Sequence, residues 1–169
     1  MDSKTIRGFA CAVACLATLG QSAATPAEGS EDSKMAIEGT WISKVTTPNP
    51  PPGLPASFLS MATYTGTGQA MEENNTPQIR SVGQGEWART GPRSFVRTVT
   101  IFGFGPGRVF ATFTKVTSVI DLAHDGETYA SKNSFEIYDP NGILIVQGEN
   151  AGTARRCGLG DSIPSCIAF

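Results

Sequence analysis

Six carboxylates in the body of the chain, Glu72, Glu73, Glu86, Asp121, Glu136 and Asp139, are its candidates for proton transfer. Glu136 stands out because it sits in the middle of "NSFEIYD", a stretch with strand-like alternation. An inward carboxyl there would be desolvated, which raises its affinity for a proton unless a cation faces it. Arg97, central in "SFVRTVTIFGF", is the cation available to face it. A buried pair of Arg97 and Glu136 would fix a polar ligand or serve as acid/base and oxyanion partners. On outward strand faces the same two residues would be ordinary surface charges, and the sequence leaves both arrangements open. Asp139 belongs to the turn "DPNG" and reads as its cap.

Other chemistries lack their residues. His124 is the only histidine and lies in the turn "LAHDGET", so a histidine metal cluster is excluded. No Gly-x-Ser-x-Gly elbow occurs. "GFGPGR" carries Pro106 between two strands rather than opening a helix, which makes it a turn and not a phosphate-binding loop. The expectation is a site with no metal and no cofactor.

These groups need a scaffold, and composition bounds it. A chain of 169 residues, 40% hydrophobic and 17% charged, is sized for one ordinary folded domain. Residues 1–24 are of another kind: Lys4 and Arg7 precede an apolar run from Phe9 to Leu19, and Ser22 and Ala24 have the spacing of a signal-peptidase site. That run falls well short of the roughly 20 residues that span a bilayer. The prediction is a cleaved signal peptide over residues 1–24 and a secreted or periplasmic protein. Residues 25–35 are small, polar and unpatterned, as in a flexible leader. The formal net charge of −2 falls by one more unit when Asp2, Lys4 and Arg7 leave. Mild, unclustered acidity argues against nucleic acid and anionic membranes as partners.

Cys11 and Cys15 would leave with the signal, so Cys157 and Cys166 remain, separated by "GLGDSIPS". In an oxidising compartment they most simply form a disulfide that pins a tail over residues 157–169. A redox or metal-binding pair is the rival, but it lacks close CxxC spacing and a neighbouring histidine.

From residue 36 to 156 the pattern is β throughout. Runs rich in Val, Ile, Thr, Phe and Tyr predict strands over 37–46, 57–65, 68–73, 79–89, 94–104, 108–122, 127–138 and 143–156. The separators are mostly tight turns, including "TGTG", "NNTP", "TGPR", "GPG", "AHDG" and "DPNG". Short turns favour antiparallel neighbours, and eight meandering strands suit an up-and-down β-barrel with no exposed edge. A β-sandwich is the structural rival. Phe95, Arg97, Val99 and Ile101 alternate with Val96, Thr98, Thr100 and Phe102. Neither set is uniformly polar, so the inward face stays open. The aromatics Tyr64, Trp87, Phe95, Phe113 and Tyr129 are the candidate cavity lining, since core and cavity wall are one surface in a barrel.

The first strand carries Gly39-Thr40-Trp41 and the last carries "NAGTARRC". A Gly-x-Trp on the first of eight predicted strands resembles the lipocalins and wider calycin barrels. The resemblance implies that Trp41 closes one barrel end and packs on an Arg from the last strand, Arg155 or its neighbour Arg156. The chain is also similar to allene oxide cyclase and dirigent-type barrels in "GEWARTGPRSF", "DPNG" and the final Gly-Thr-x-Arg, over roughly residues 37–156. The Thr-Asp-Tyr type of motif found in many lipocalins is absent.

Fold and resemblance together imply a cavity for a small hydrophobic or amphipathic molecule. The leading expectation is a cofactor-independent cyclase or isomerase, the alternative a non-catalytic carrier, and the third a barrel filled by its own side chains. A homo-oligomer is the other partner considered, through an outer apolar set of Phe110, Val116 and Ile120.

Overall fold

The computed structural model describes residues 36–169, so the expected signal peptide and leader lie outside the described residues. The strands are β1 (Gly39–Thr46), β2 (Ser57–Tyr64), β3 (Gln69–Asn74), β4 (Ile79–Arg80), β5 (Gly83–Arg89), β6 (Ser94–Phe104), β7 (Phe110–Leu122), β8 (Thr128–Tyr138) and β9 (Leu144–Arg156). One short helix, α1 (Ile163–Cys166), follows.

All pairings are antiparallel, and β1 pairs with both β2 and β9. The ring then runs through β3, β5, β6, β7 and β8 back to β9. That closes an eight-stranded antiparallel β-barrel, as a calycin-like fold requires, and leaves no room for the sandwich. The two-residue β4 is the lead-in to β5. Arg80 pairs with Gly103 and Gln84 with Thr100 on the same β6 edge, so the predicted 79–89 strand is one strand with an extra residue bulged out near Ser81. Ser81 Oγ compensates by accepting the backbone N–H of Phe102 at 3.0 Å.

The barrel end at the start of β1 is solid. Ile37, Trp41, Tyr64, Phe95, Val99, Ile120, Leu122 and Tyr129 form its core with small residues Ala62, Ala70 and Ala154. Trp41 has no exposed surface, donates its indole N–H to Ile37 O at 2.7 Å and lies 4.8 Å from the Tyr129 ring. Arg156 Cζ sits 4.4 Å from the Trp41 ring centroid. Its guanidinium donates to Gly126 O, Glu38 O and Ala36 O, strapping the lead-in to β1 across the floor. Arg156 therefore fills the role for which Arg155 was also eligible. Arg155 is one residue out of phase and points to solvent. Gly39 explains itself here: its φ is +119°, and a Cβ would meet Arg156 Nη1 at 2.9 Å. The Gly of Gly-x-Trp makes room for the cation that stacks on the Trp.

The Cys157–Cys166 disulfide forms and folds the tail back after β9. Of the apolar set expected on the outer wall, Val116 and Ile120 face inward and Ile120 is fully buried. A register shift between Gly103 and Phe104 on β6 puts Phe110 outside, against Phe102 and Phe113. Among the described residues no helix is long and apolar enough to cross a membrane.

Two exposed turns are held by carboxylates. Asp125 accepts the N–H groups of Glu127 and Thr128 at 2.8 and 3.1 Å, and Asp139 accepts those of Asn141 and Ile143, both at 2.8 Å. These backbone donors hold both carboxyls below their ordinary value. A depressed folded value means the stabilisation is complete above the unfolded value of about 3.9 and is lost as pH falls through the folded one. Thermal denaturation of Asp139→Ala beside the parent should show a deficit at pH 6 that narrows toward pH 2; a pH-independent deficit would contradict the assignment.

Candidate functional site

Above the solid floor the interior becomes polar, then hollow. Inward residues alternate along each strand, so β3 directs Ala70 and Glu72 inside and β6 directs Phe95, Arg97, Val99 and Ile101 inside. Glu72 and Arg97 meet at 2.5 Å, with 6% and 8% of their side chains exposed. They sit on strands separated by β5, and the meeting is allowed by β5 itself, whose inward positions there are Gly83 and Gly85. A Cβ on Gly85 would fall 1.8 Å from Thr98 O and one on Gly83 2.9 Å from the Ile101 side chain. With no side chains in between, the Arg97 arm reaches across to β3.

Arg97 also donates Nε–H to Ser118 Oγ at 3.1 Å and lies 5.8 Å from the Tyr64 ring centroid. Burial alone would lower the proton affinity of Arg97, but the Glu72 carboxylate, together with Tyr64 and Tyr129, outweighs it and the net shift is upward, so the guanidinium stays charged. Burial pushes the Tyr64 phenol well above its ordinary range, partly opposed by Arg97, so the phenol stays neutral. Next to this layer Ser43 Oγ and Tyr129 OH are 3.1 Å apart, and Asn133 donates to Asn150 Oδ1 at 2.7 Å.

On the far side of this layer from the floor lies a cavity of about 310 Å³. Its walls include Val45, Phe58, Ile101, Phe104, Val116, Phe135 and Ile137, and its polar positions include Glu72, Arg80, Arg97, Asn133 and Asn150. Four of its polar atoms are buried without a hydrogen-bond partner: Arg97 Nη1, Arg80 Nη2, Asn133 Oδ1 and Glu72 Oε2, the last held only by its ion pair with Arg97. Such groups are costly to leave unmet and are ready contacts for a ligand.

The expected pair of Arg97 and Glu136 does not form. Glu136 follows the inward Phe135 by one position, so it faces outward and pairs loosely with Lys115 at 3.8 Å, both partly exposed. An exposed pair of this kind is worth about 0–1 kcal/mol. The carboxylate that does face Arg97 is Glu72.

The expected aromatic box needs a similar correction. Tyr64, Phe95 and Tyr129 pack in the floor core with Trp87 against it, because they sit at the inward positions nearest the solid end. Trp87 donates its indole N–H to Thr65 O at 3.0 Å and stacks edge-on with Tyr64 and Phe95. Phe113 lies on the outer wall with Phe102 and Phe110, since Thr112 and Thr114 on either side of it face the cavity. The aromatics at the cavity are Phe58, Phe104 and Phe135 instead.

His124, Glu73 and Glu86 are exposed. Asp121 is exposed too and accepts Ser94 Oγ–H at 3.0 Å. Cys157, Asp161 and Cys166 are the one cluster of metal-ligating types among the described residues, but the disulfide consumes both thiols.

No protein-family model matches the chain, and no curated protein sequence matches it either.

Proposed function

We propose that this barrel binds one small amphipathic molecule in the cavity above the Arg97–Glu72 layer, and that it does so as an exported protein. The observation that carries the reading is the cavity of about 310 Å³, walled by apolar side chains and floored by buried polar atoms without partners. Apolar walls with a few convergent polar groups are what a small-molecule site needs. A barrel filled by its own side chains would have neither the space nor the unmet donors. The disulfide and the apolar leader of residues 1–24 support an extracytoplasmic setting.

A second reading, a cofactor-independent cyclase or isomerase, is favoured by one feature. Glu72, Arg97 and Ser118 form a hydrogen-bonded and ion-paired array beside the cavity. In that reading the dry walls hold a reactive conformer, Glu72 moves a proton, and Arg97 steadies developing negative charge on oxygen.

Native mass spectrometry of the full chain, expressed with export and purified without detergent, tests the binding reading. The expected result is a bound small molecule of constant mass that is lost on mild collisional heating. Repeated recovery of the bare protein from several extracts would count against a carrier. Incubating an identified ligand with the protein then separates the two readings, because a carrier returns it unchanged and an isomerase returns an isomer of equal mass.

A further inference from the structure

We propose that the cavity selects amphiphiles whose polar end is an anion, specifically a carboxylate, over neutral or cationic molecules of the same length. The inference rests on the reading that the cavity binds an amphiphile. It follows from the charges on the wall: Arg97, Arg80 and Glu72 are the charged side chains lining the cavity, so the site carries one more positive charge than negative.

The hydrogen-bond inventory points the same way. Arg97 is ion-paired through Nη2 with Glu72 and donates Nε–H to Ser118, which leaves Nη1 buried with nothing to donate to. Arg80, further toward the start of its strand, also keeps a buried Nη2 without an acceptor. Glu72 is ion-paired with Arg97 and also acts electrostatically on Arg80, so one carboxylate serves two cations. Burial lowers the proton affinity of Arg80, and Glu72 and Glu73 only oppose that shift. An arriving anion would relieve that desolvation cost and accept from both free N–H groups. Asn133 Oδ1, an unpartnered acceptor lining the same cavity, can take a hydroxyl or water beside the head group.

Size limits the tail. At about 30 Å³ for each water-sized group, the cavity volume accommodates roughly ten such groups. A medium-length chain fits; a long one would protrude.

Isothermal titration calorimetry of the full chain with decanoate, decanol and decylammonium at neutral pH tests the selectivity. Decanoate should bind about tenfold tighter than decanol, as one or two charge-assisted hydrogen bonds allow, and decylammonium weakest of the three. Removing Arg97 risks the fold, so the partly exposed Arg80 carries the mutational arm. Arg80→Gln should weaken decanoate about fivefold and leave decanol unchanged. Glu72→Gln should tighten decanoate, because it frees a second Arg97 donor. Decanol binding as tightly as decanoate, or decanoate unmoved by Arg80→Gln, would overturn the anion selectivity while leaving the cavity reading intact. Failure of all three to bind would overturn both.

Discussion

Arg97→Met is expected to cost about 3–5 kcal/mol of folding stability, the cost of stranding a buried charge whose partner has been removed. Glu72 has 6% of its side chain exposed and, among the described residues, no other cation at ion-pair distance. Ser118 Oγ, with no exposed surface, would lose its guanidinium donor as well. The companion variant Arg97→Met with Glu72→Leu removes both charges and should recover most of the loss, since well-packed apolar replacements of buried ion pairs are neutral or stabilising. Denaturant melts of the two single variants and the double variant yield the coupling directly. A coupling near zero would mean that the pair contributes nothing as a pair. Recovered stability in a double variant that no longer binds an anionic amphiphile would show that the ion pair is kept for ligand recognition rather than for folding.

Trp41→Ala is expected to cost about 3–5 kcal/mol, the range for truncating a fully buried Trp. More than apolar area is lost. The indole N–H holds Ile37 O, the ring carries Arg156, and Arg156 holds the backbone of Ala36 and Glu38. The lead-in to β1 should detach, so limited proteolysis should cut near residues 36–38 in the variant and not in the parent. Trp41→Phe keeps most of the area and should lose far less. Equal loss from both variants would show that the indole N–H to Ile37 O, which Phe cannot supply, and not burial, dominates the floor.

Most of the barrel is legible in the sequence. Strand-length β-rich runs separated by turn residues require antiparallel hairpins, and eight of them close without an edge. Gly39, Trp41 and a late Arg could be paired from the resemblance alone, though not the choice between Arg155 and Arg156. That choice is a matter of phase: β9 carries Gly152 and Ala154 inward, so Arg156 is inward and Arg155 is not.

The site was less legible because a one-residue change of phase reverses every side chain. Glu136 and Phe113 looked like interior residues for their chemistry, yet each flanks a position that is inward. The better signal was Glu72 next to Glu73. Adjacent residues on a strand point to opposite faces, so one of the two had to enter a closed barrel and needed a cation there. Its partner could not be chosen from sequence, because the contact spans β5 and depends on Gly83 and Gly85 leaving that strand bare. Arg80 was hidden in another way: the bulge near Ser81 resets the phase between β4 and β5.

The ligand is expected inside the barrel, above Arg97, rather than on the outer aromatic cluster of Phe102, Phe110 and Phe113. A crystal of the protein grown with ω-bromodecanoate would locate the ligand through the anomalous signal of bromine. The expected map has a carboxylate against Arg97 and Arg80, and a single bromine site further out among Ile101, Phe104, Phe135 and Ile137. Bromine found only on the outer aromatic cluster, or nowhere, would contradict it.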